Sequence, residues 1–277
     1  MATNWDAHID GFLPEDGDAG TLVGRIWRPD VEGPSVVSIR EGGVVDITAA
    51  APTMSALTNA DDPVALAGSD GDGLGDLREI AANSVAESRD TTKPWFLSPA
   101  DLQAHKACGV TFVRSLLERV IDERTSGDPA LAEEVRKELL NSIGIDLSDV
   151  VPGSDEAETV KSALLDRDMW SQYLEVGIGP YAEVFSKAQP MSSVGFGAEI
   201  GIHPMSTWNN PEPEVVLVGN ATGEIVGAAL GNDVNLRDVE GRSALLLGRA
   251  KDNNGSCAIG PIVRLLDDTY TLDDIRS

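Results

Sequence analysis

The segment PEPEVVLV, residues 211–218, limits what this chain can fold into more than any other. Its β-branched run reads as a strand, and residues two apart on a strand face the same way. Glu212 and Glu214 therefore stand side by side on one face. Two such carboxylates repel unless a proton or a cation sits between them. EVVLVGN and EIVGAALGN flank a tight turn at 221–223, so an antiparallel return brings Asp233 back beside the pair. Three carboxylates and water suit a hard divalent cation, Mg²⁺ first, with Mn²⁺ or Ca²⁺ as alternatives.

A Glu-x-Glu pair is weak evidence alone. With 46 acidic residues among 277, chance gives about eight pairs of acidic residues two apart. Each reads equally well as a solvated acidic strand face. The wider context narrows this. WNNPEPEVVLVGNATGEIVGAALGNDVNLRDVEGRSALLLGRAKDNNGSCAIGPIVRL, residues 208–265, holds the Glu-x-Glu pair, an Asn-Asp-Val-x-x-Arg-Asp segment and a lysine followed by Gly-Pro. This ordered set resembles the fumarylacetoacetate hydrolase superfamily. HKACGVTFVRSLLERVIDERTSGDPALAEEVRKELL, SQYLEVGIGPYAEVFSKAQPMSSVGFGAEIGIHP and SALLLGRAKDNNGSCAIGP resemble its branch that dehydrates 2-keto-3-deoxy sugar acids. The resemblance covers residues 95–277 well and the rest loosely.

That resemblance implies a mixed α+β chain. A β-roll or barrel of the fumarylacetoacetate hydrolase type, with helical segments, would follow a small N-terminal β domain. The expected domains are 1–92 and 93–277. It implies Glu212, Glu214 and Asp233 as metal ligands and Lys251 as the active-site lysine. Lys251 would take the C3 proton or hold the enolate oxygen. A lysine is a base only where its pKa is lowered. Glu183 would be the acid or base that helps the C4 hydroxyl leave. Arg237 either orients a substrate carboxylate or braces Asp233 or Glu240. Lys187 is a candidate substrate contact.

The implied reaction is Mg²⁺-dependent dehydration of a 2-keto-3-deoxy-pentonate to 2,5-dioxopentanoate in oxidative pentose breakdown. Two rivals stand beside it. One is a C–C bond hydrolase of acylpyruvate-type 2,4-diketo acids, which needs a Glu–His pair in an early DxHxxE-like segment. His8, His105 and His203 lie in no such segment. The other is an inactive remnant. The superfamily continues through a Gly-Thr-Gly-like loop and a closing Gly-Asp strand, whereas this chain stops at LDDIRS. The expectation is a catalytic domain incomplete at its C-terminus. The resemblance also implies a homo-oligomer, a dimer or dimer of dimers.

Charge limits the partners. Lys and Arg total 21 against 46 Asp and Glu, a net charge of −25. That disfavours nucleic acid and anionic membranes. Six lysines against fifteen arginines, with this acidity, read as adaptation to high salt, where screening suppresses self-repulsion. Cys108 and Cys257 form no CxxC pair, and Cys257 reads as a small core residue. MATNWDAHID has no basic start before an apolar run, and no segment reads as a membrane span, so the expectation is a soluble, cytoplasmic protein.

The remaining chain yields coarser expectations. TLVGRIW and GPSVVSIREGGVVDIT read as strands with Glu41-Gly42-Gly43 as a hairpin turn. Residues 61–76 read as an exposed loop, whose DGDGLGD run fails the calcium-loop pattern at Leu74 and Ala81. Pro94 and Pro99 mark a junction. Val110, Val113, Leu116, Leu117 and Val120 predict a helix over 101–124. Asp128 and Pro129 open a second helix with Leu131, Val135 and Leu139 as its stripe, and 155–168 reads as a third.

Overall fold

A computed structural model describes residues 3–109, 121, 124, 125, 129–143, 150–166, 168, 170 and 172–276. Its strands are β1 (Leu22–Arg28), β2 (Gly33–Arg40), β3 (Gly43–Asp46), β4 (Asp72–Asp76), β5 (Trp95–Phe96), β6 (His105–Cys108), β7 (Val184–Ala188), β8 (Asn209–Asn210), β9 (Pro213–Gly219), β10 (Ile225–Asp233), β11 (Asn235–Leu236) and β12 (Cys257–Leu265). The main sheet runs β4-β3-β2-β1-β12-β10-β9, and β5 pairs with β1 as well. Every pairing given for it is antiparallel.

Local sequence explains two turns of this sheet. Glu41 and Gly42 both have positive φ, as a two-residue turn between twisted strands demands, and Arg40 pairs with Gly43. Gly223, at φ 87°, closes the β9–β10 turn, where the Asn220 carboxamide oxygen accepts from the Thr222 and Glu224 amides. Strand β1 (LVGRIWR) is buried on both faces over its first five residues. Val23 joins Val36, Met54, Leu57, Ala229, Ile259 and Val263 on one side. Leu22 and Ile26 join Phe12, Val37, Ile39, Ile80, Phe96 and Ile262 on the other. Alternation of side chains along a strand places these two sets on opposite faces. Strand β9 alternates exposed and half-buried residues along its whole length, with Val216 and Val218 packed on the first cluster. Ile26 is 0% exposed, so Ile26→Ala is expected to cost about 2–5 kcal/mol, read as a lower denaturant midpoint with unchanged slope.

Contacts divide the chain into one unit of 1–105 with 186–277 and a second of 106–185. This differs from the expected boundary near residue 92. Leu22 pairs with Arg264 and Val23 with Val263, while Trp95 and Phe96 pair with Trp27 and Ile26. The N-terminal strands and the Glu-x-Glu hairpin therefore share one sheet, and Pro94 lies beside a strand of it.

Within the second unit, helices span Pro129–Ile143, Asp155–Leu165 and Gln172–Ile178. The first begins at Pro129 as expected, although Leu131 is exposed and the Asp128 cap lies outside the described residues. Ser154 caps the second through the Ala157 amide. Ala157, Val160 and Leu164 are buried, and Lys161 pairs with Glu175 at 2.7 Å. The helix predicted over 101–124 is a strand at His105–Cys108, where burial alternates residue by residue. Val110 through Val120 lie outside the described residues. The loop expected at 61–76 contains a helix, Pro63–Ala67, capped by Asp62, and strand β4. No helix among the described residues is long and apolar enough to cross a membrane.

Candidate metal centre

Glu212 precedes β9, Glu214 lies in it, and Asp233 ends β10. The hairpin register sets them together. Glu214 pairs with Gly231, Pro213 with Asn232, and the Asp233 amide donates to the Glu212 carbonyl at 2.9 Å. A Cβ on Gly231 would lie 2.5 Å from Val216 Cγ2, so a glycine there lets the strands approach. One carboxylate oxygen from each of Glu212, Glu214 and Asp233 lies within 4.8 Å of the others. The convergence expected from the sequence is present.

Two buried lysines meet this cluster. Lys251, at the end of helix Leu247–Lys251, contacts Glu212 Oε2 and lies 2.9 Å from Asp233 Oδ2. Lys187, on β7, lies 2.9 Å from Asp233 Oδ1. That oxygen is buried, yet no donor among the described residues points along a hydrogen bond to it. The three carboxylates make an all-oxygen donor set, which fits a hard divalent cation. The residues present therefore suit Mg²⁺.

The electrostatics follow from this crowding. Burial pushes the Glu214 carboxyl up to about 7, and Asp233 and Glu212 push the same way against Lys251 and Lys187. Burial pulls the Lys251 pKa down, but Asp233 and Glu212 outweigh it, and the net shift is upward. Lys251 is thus held as an ammonium in the metal-free site. That disfavours it as a base there and favours holding a developing negative charge.

Several expected residues take more definite places. Lys187 is 2% exposed, and its ammonium donates to the carbonyls of Val234 and Lys251 at 2.8 and 2.5 Å and to Ser256 Oγ at 3.3 Å. Its ammonium thus has these three acceptors and stands beside Asp233 as an ion pair, while the substrate contact expected of it is a proposal. Arg237 lies 4.0 Å from Glu240 Oε2 and over the Trp208 ring, so of the two bracing partners it takes Glu240. Glu183 falls in the second unit, where its backbone carbonyl accepts from the Gly109 amide.

His105, within the span where a helix is expected, begins β6 instead. It is buried, with Nε2 3.1 Å from Ser193 Oγ. His203 Nδ1 accepts from the Met205 amide in its own loop. Cys257 is buried, and burial pushes its thiol up to about 11.

Asn235 is the residue that sequence reasoning missed. It is fully buried, and its amide donates to Glu212 Oε1 at 3.2 Å and Glu240 Oε2 at 2.6 Å. Its only signal was a variable place inside the Asn-Asp-Val-x-x-Arg-Asp segment.

The chain is similar to several known proteins. The chain is 31% identical over 171 residues to a Haloferax volcanii protein described as "Probable 2-keto-3-deoxyxylonate dehydratase", matching 51% of this chain and 57% of that one. It is 38% identical over 94 residues to 2-dehydro-3-deoxy-D-arabinonate dehydratase of Saccharolobus solfataricus, 33% of this chain and 32% of that one. The chain thus spans 57% and 32% of the lengths of these two relatives. Among solved structures, apo 2-keto-3-deoxy-D-arabinonate dehydratase superposes with a TM-score of 0.57 at 18% identity, over 88% of this chain and 66% of that one. The form complexed with magnesium and 2,5-dioxopentanoate gives 0.54 over the same shares. At that identity the likeness concerns the fold. No family model matches the chain.

Proposed function

For a chain with the mixed α+β, fumarylacetoacetate-hydrolase-like fold and with 2-keto-3-deoxy sugar acid dehydratases as relatives, we propose divalent-metal-dependent dehydration of a 2-keto-3-deoxy-pentonate. The product is 2,5-dioxopentanoate, and the pathway is oxidative pentose breakdown. The observation that carries this reading is the cluster of Glu212, Glu214 and Asp233 with Lys251 against two of its members.

Glu212, Glu214 and Asp233 would hold Mg²⁺, which when bound supplies a Lewis acid for a 2-keto carboxylate. The chain's own residues do the rest. Loss of the C3 proton builds negative charge on the C2 oxygen. Lys251 offers a buried ammonium beside the ligand carboxylates to hold that charge. Asn235 fixes the Glu212 carboxylate from behind. Glu183 is the proposed acid–base group: as a carboxylate it would take the C3 proton and pass it to the C4 hydroxyl, which leaves as water, and tautomerisation then gives the aldehyde. That role rests on the resemblance, and Arg237 as a carboxylate anchor does likewise. The hydrolase alternative is not favoured: His105 Nε2 lies beside Ser193 Oγ and His203 Nδ1 accepts from the Met205 amide, and neither of these contacts is with a glutamate.

The net charge of −25 supports work in molar salt, and a homo-oligomer belongs to the same reading. The test is incubation with 2-keto-3-deoxy-xylonate in molar KCl, with and without Mg²⁺, following the semialdehyde. Metal-dependent product is expected, and Glu212→Gln should lower it at least about 1,000-fold. Pyruvate released from a 2,4-diketo acid instead would favour the hydrolase. Folded protein inactive on either substrate would sink both.

A further inference from the structure

Lys187 has a contact set unlike that of a group waiting for substrate. Four acceptors surround its ammonium: Asp233 Oδ1 at 2.9 Å, Val234 O at 2.8 Å, Lys251 O at 2.5 Å and Ser256 Oγ at 3.3 Å. They belong to the end of β10, the residue after it, the last residue of helix Leu247–Lys251 and the residue before β12. The Lys251 carbonyl is one of the helix-terminal acceptors that need a partner from outside the helix. Ser256 Oγ ties the same corner, its one hydroxyl proton within reach of the Lys251 and Asn253 carbonyls at 3.0 and 2.9 Å. Asp233 therefore bridges two ammonium groups, Lys187 on Oδ1 and Lys251 on Oδ2.

The two lysines differ in kind. Lys251 touches Glu212 and Asp233, two carboxylates that a metal ion would also need. Lys187 reaches, besides Asp233, backbone carbonyls on both segments that carry the site. We propose that Lys187 is the positioning residue of the metal centre. It holds the Asp233 carboxylate in one orientation toward Glu212 and Glu214. It also fixes the end of the helix that presents Lys251. The assignment rests on the proposed metal site.

The sign of one measurement separates positioning from mere proximity. A cation that only stands near a metal site repels the metal, so its removal strengthens binding. A residue that orients a ligand weakens binding when removed, by about 10–100-fold for outer partners of metal ligands. The experiment is calorimetric titration of Mg²⁺ alone into wild type, Lys187→Met and Lys251→Met in molar KCl. The expected result is Mg²⁺ affinity at least about tenfold weaker in Lys187→Met, with Lys251→Met as tight as wild type or tighter. Where Lys187→Met does not fold, Lys187→Gln carries the test. Its amide still donates to the Val234 or Lys251 carbonyl but brings no charge to Asp233. A wild type that takes up no Mg²⁺ overturns the metal reading and this assignment with it. A wild type that binds, beside a folded Lys187 variant that binds equally well or better, overturns this assignment alone.

Discussion

Asp233→Ala is expected to cost the metal-free protein about 3–5 kcal/mol, the largest loss from any single polar change at this site. The Asp233 side chain is 3% exposed, and those of Lys187 and Lys251 are 3% and 4% exposed. Removing the carboxylate leaves two buried ammoniums with one anion fewer, and water does not reach them to compensate. Lys251 keeps Glu212, and Lys187 keeps its carbonyls, so the penalty stays finite. Asp233→Asn retains the shape and an acceptor but not the charge, and should fall between wild type and Asp233→Ala. Denaturant melts in EDTA read both, as a shifted midpoint at unchanged slope. Melting of Asp233→Ala within about 1 kcal/mol of wild type would mean that Asp233 is not the anion holding these lysines in place.

Much of this site was legible in residues 211–233. Period-two alternation and a Gly-containing turn suffice to bring Glu212, Glu214 and Asp233 together, because both signals are local. The fold beyond the hairpin was less so. Pro94 and Pro99 resemble a linker, yet Trp95 and Phe96 between them pair with β1. The pairing of Leu22 with Arg264 joins opposite ends of the chain, and no local pattern announces it. Asp62 before Pro63, and Asp72 between two glycines, favour turns in isolation. In the structure Asp62 caps a short helix and DGLGD becomes a sheet edge, where backbone pairing with β3 overrides weak strand propensity. His105–Cys108 was absorbed into a helical pattern whose apolar positions begin only at Val110.

The roles of Lys187 and Asn235 were illegible for a different reason. A lysine in a strand and an asparagine after one look the same whether their partners are water, substrate or a buried carboxylate. Their partners Asp233, Ser256, Glu212 and Glu240 are brought to them by tertiary structure.

Binding of Mg²⁺ should be strongly pH-dependent, because Glu214 must give up a proton to become a ligand. Its folded pKa of about 7 stands above its ordinary 4.5. Between these values the metal-free native state binds more protons than the unfolded chain. The stabilisation this gives is fully present below 4.5 and is lost as pH rises through 7. The metal-free protein should therefore weaken toward pH 8, where three charged carboxylates face two ammoniums. At the proposed metal site Mg²⁺ should reverse the trend, since it would bind only the deprotonated cluster. Below pH 7 its affinity should fall by up to about tenfold per pH unit, with about one proton released per ion bound. Calorimetry in buffers of different ionisation enthalpy measures that proton directly. Glu214→Gln should abolish the release. Asp233→Asn should reduce it, because the Asp233 charge is one of the causes that raise the Glu214 pKa. Proton release that persists unchanged in Glu214→Gln would assign the titration to another group and remove Glu214 from the metal's ligand set.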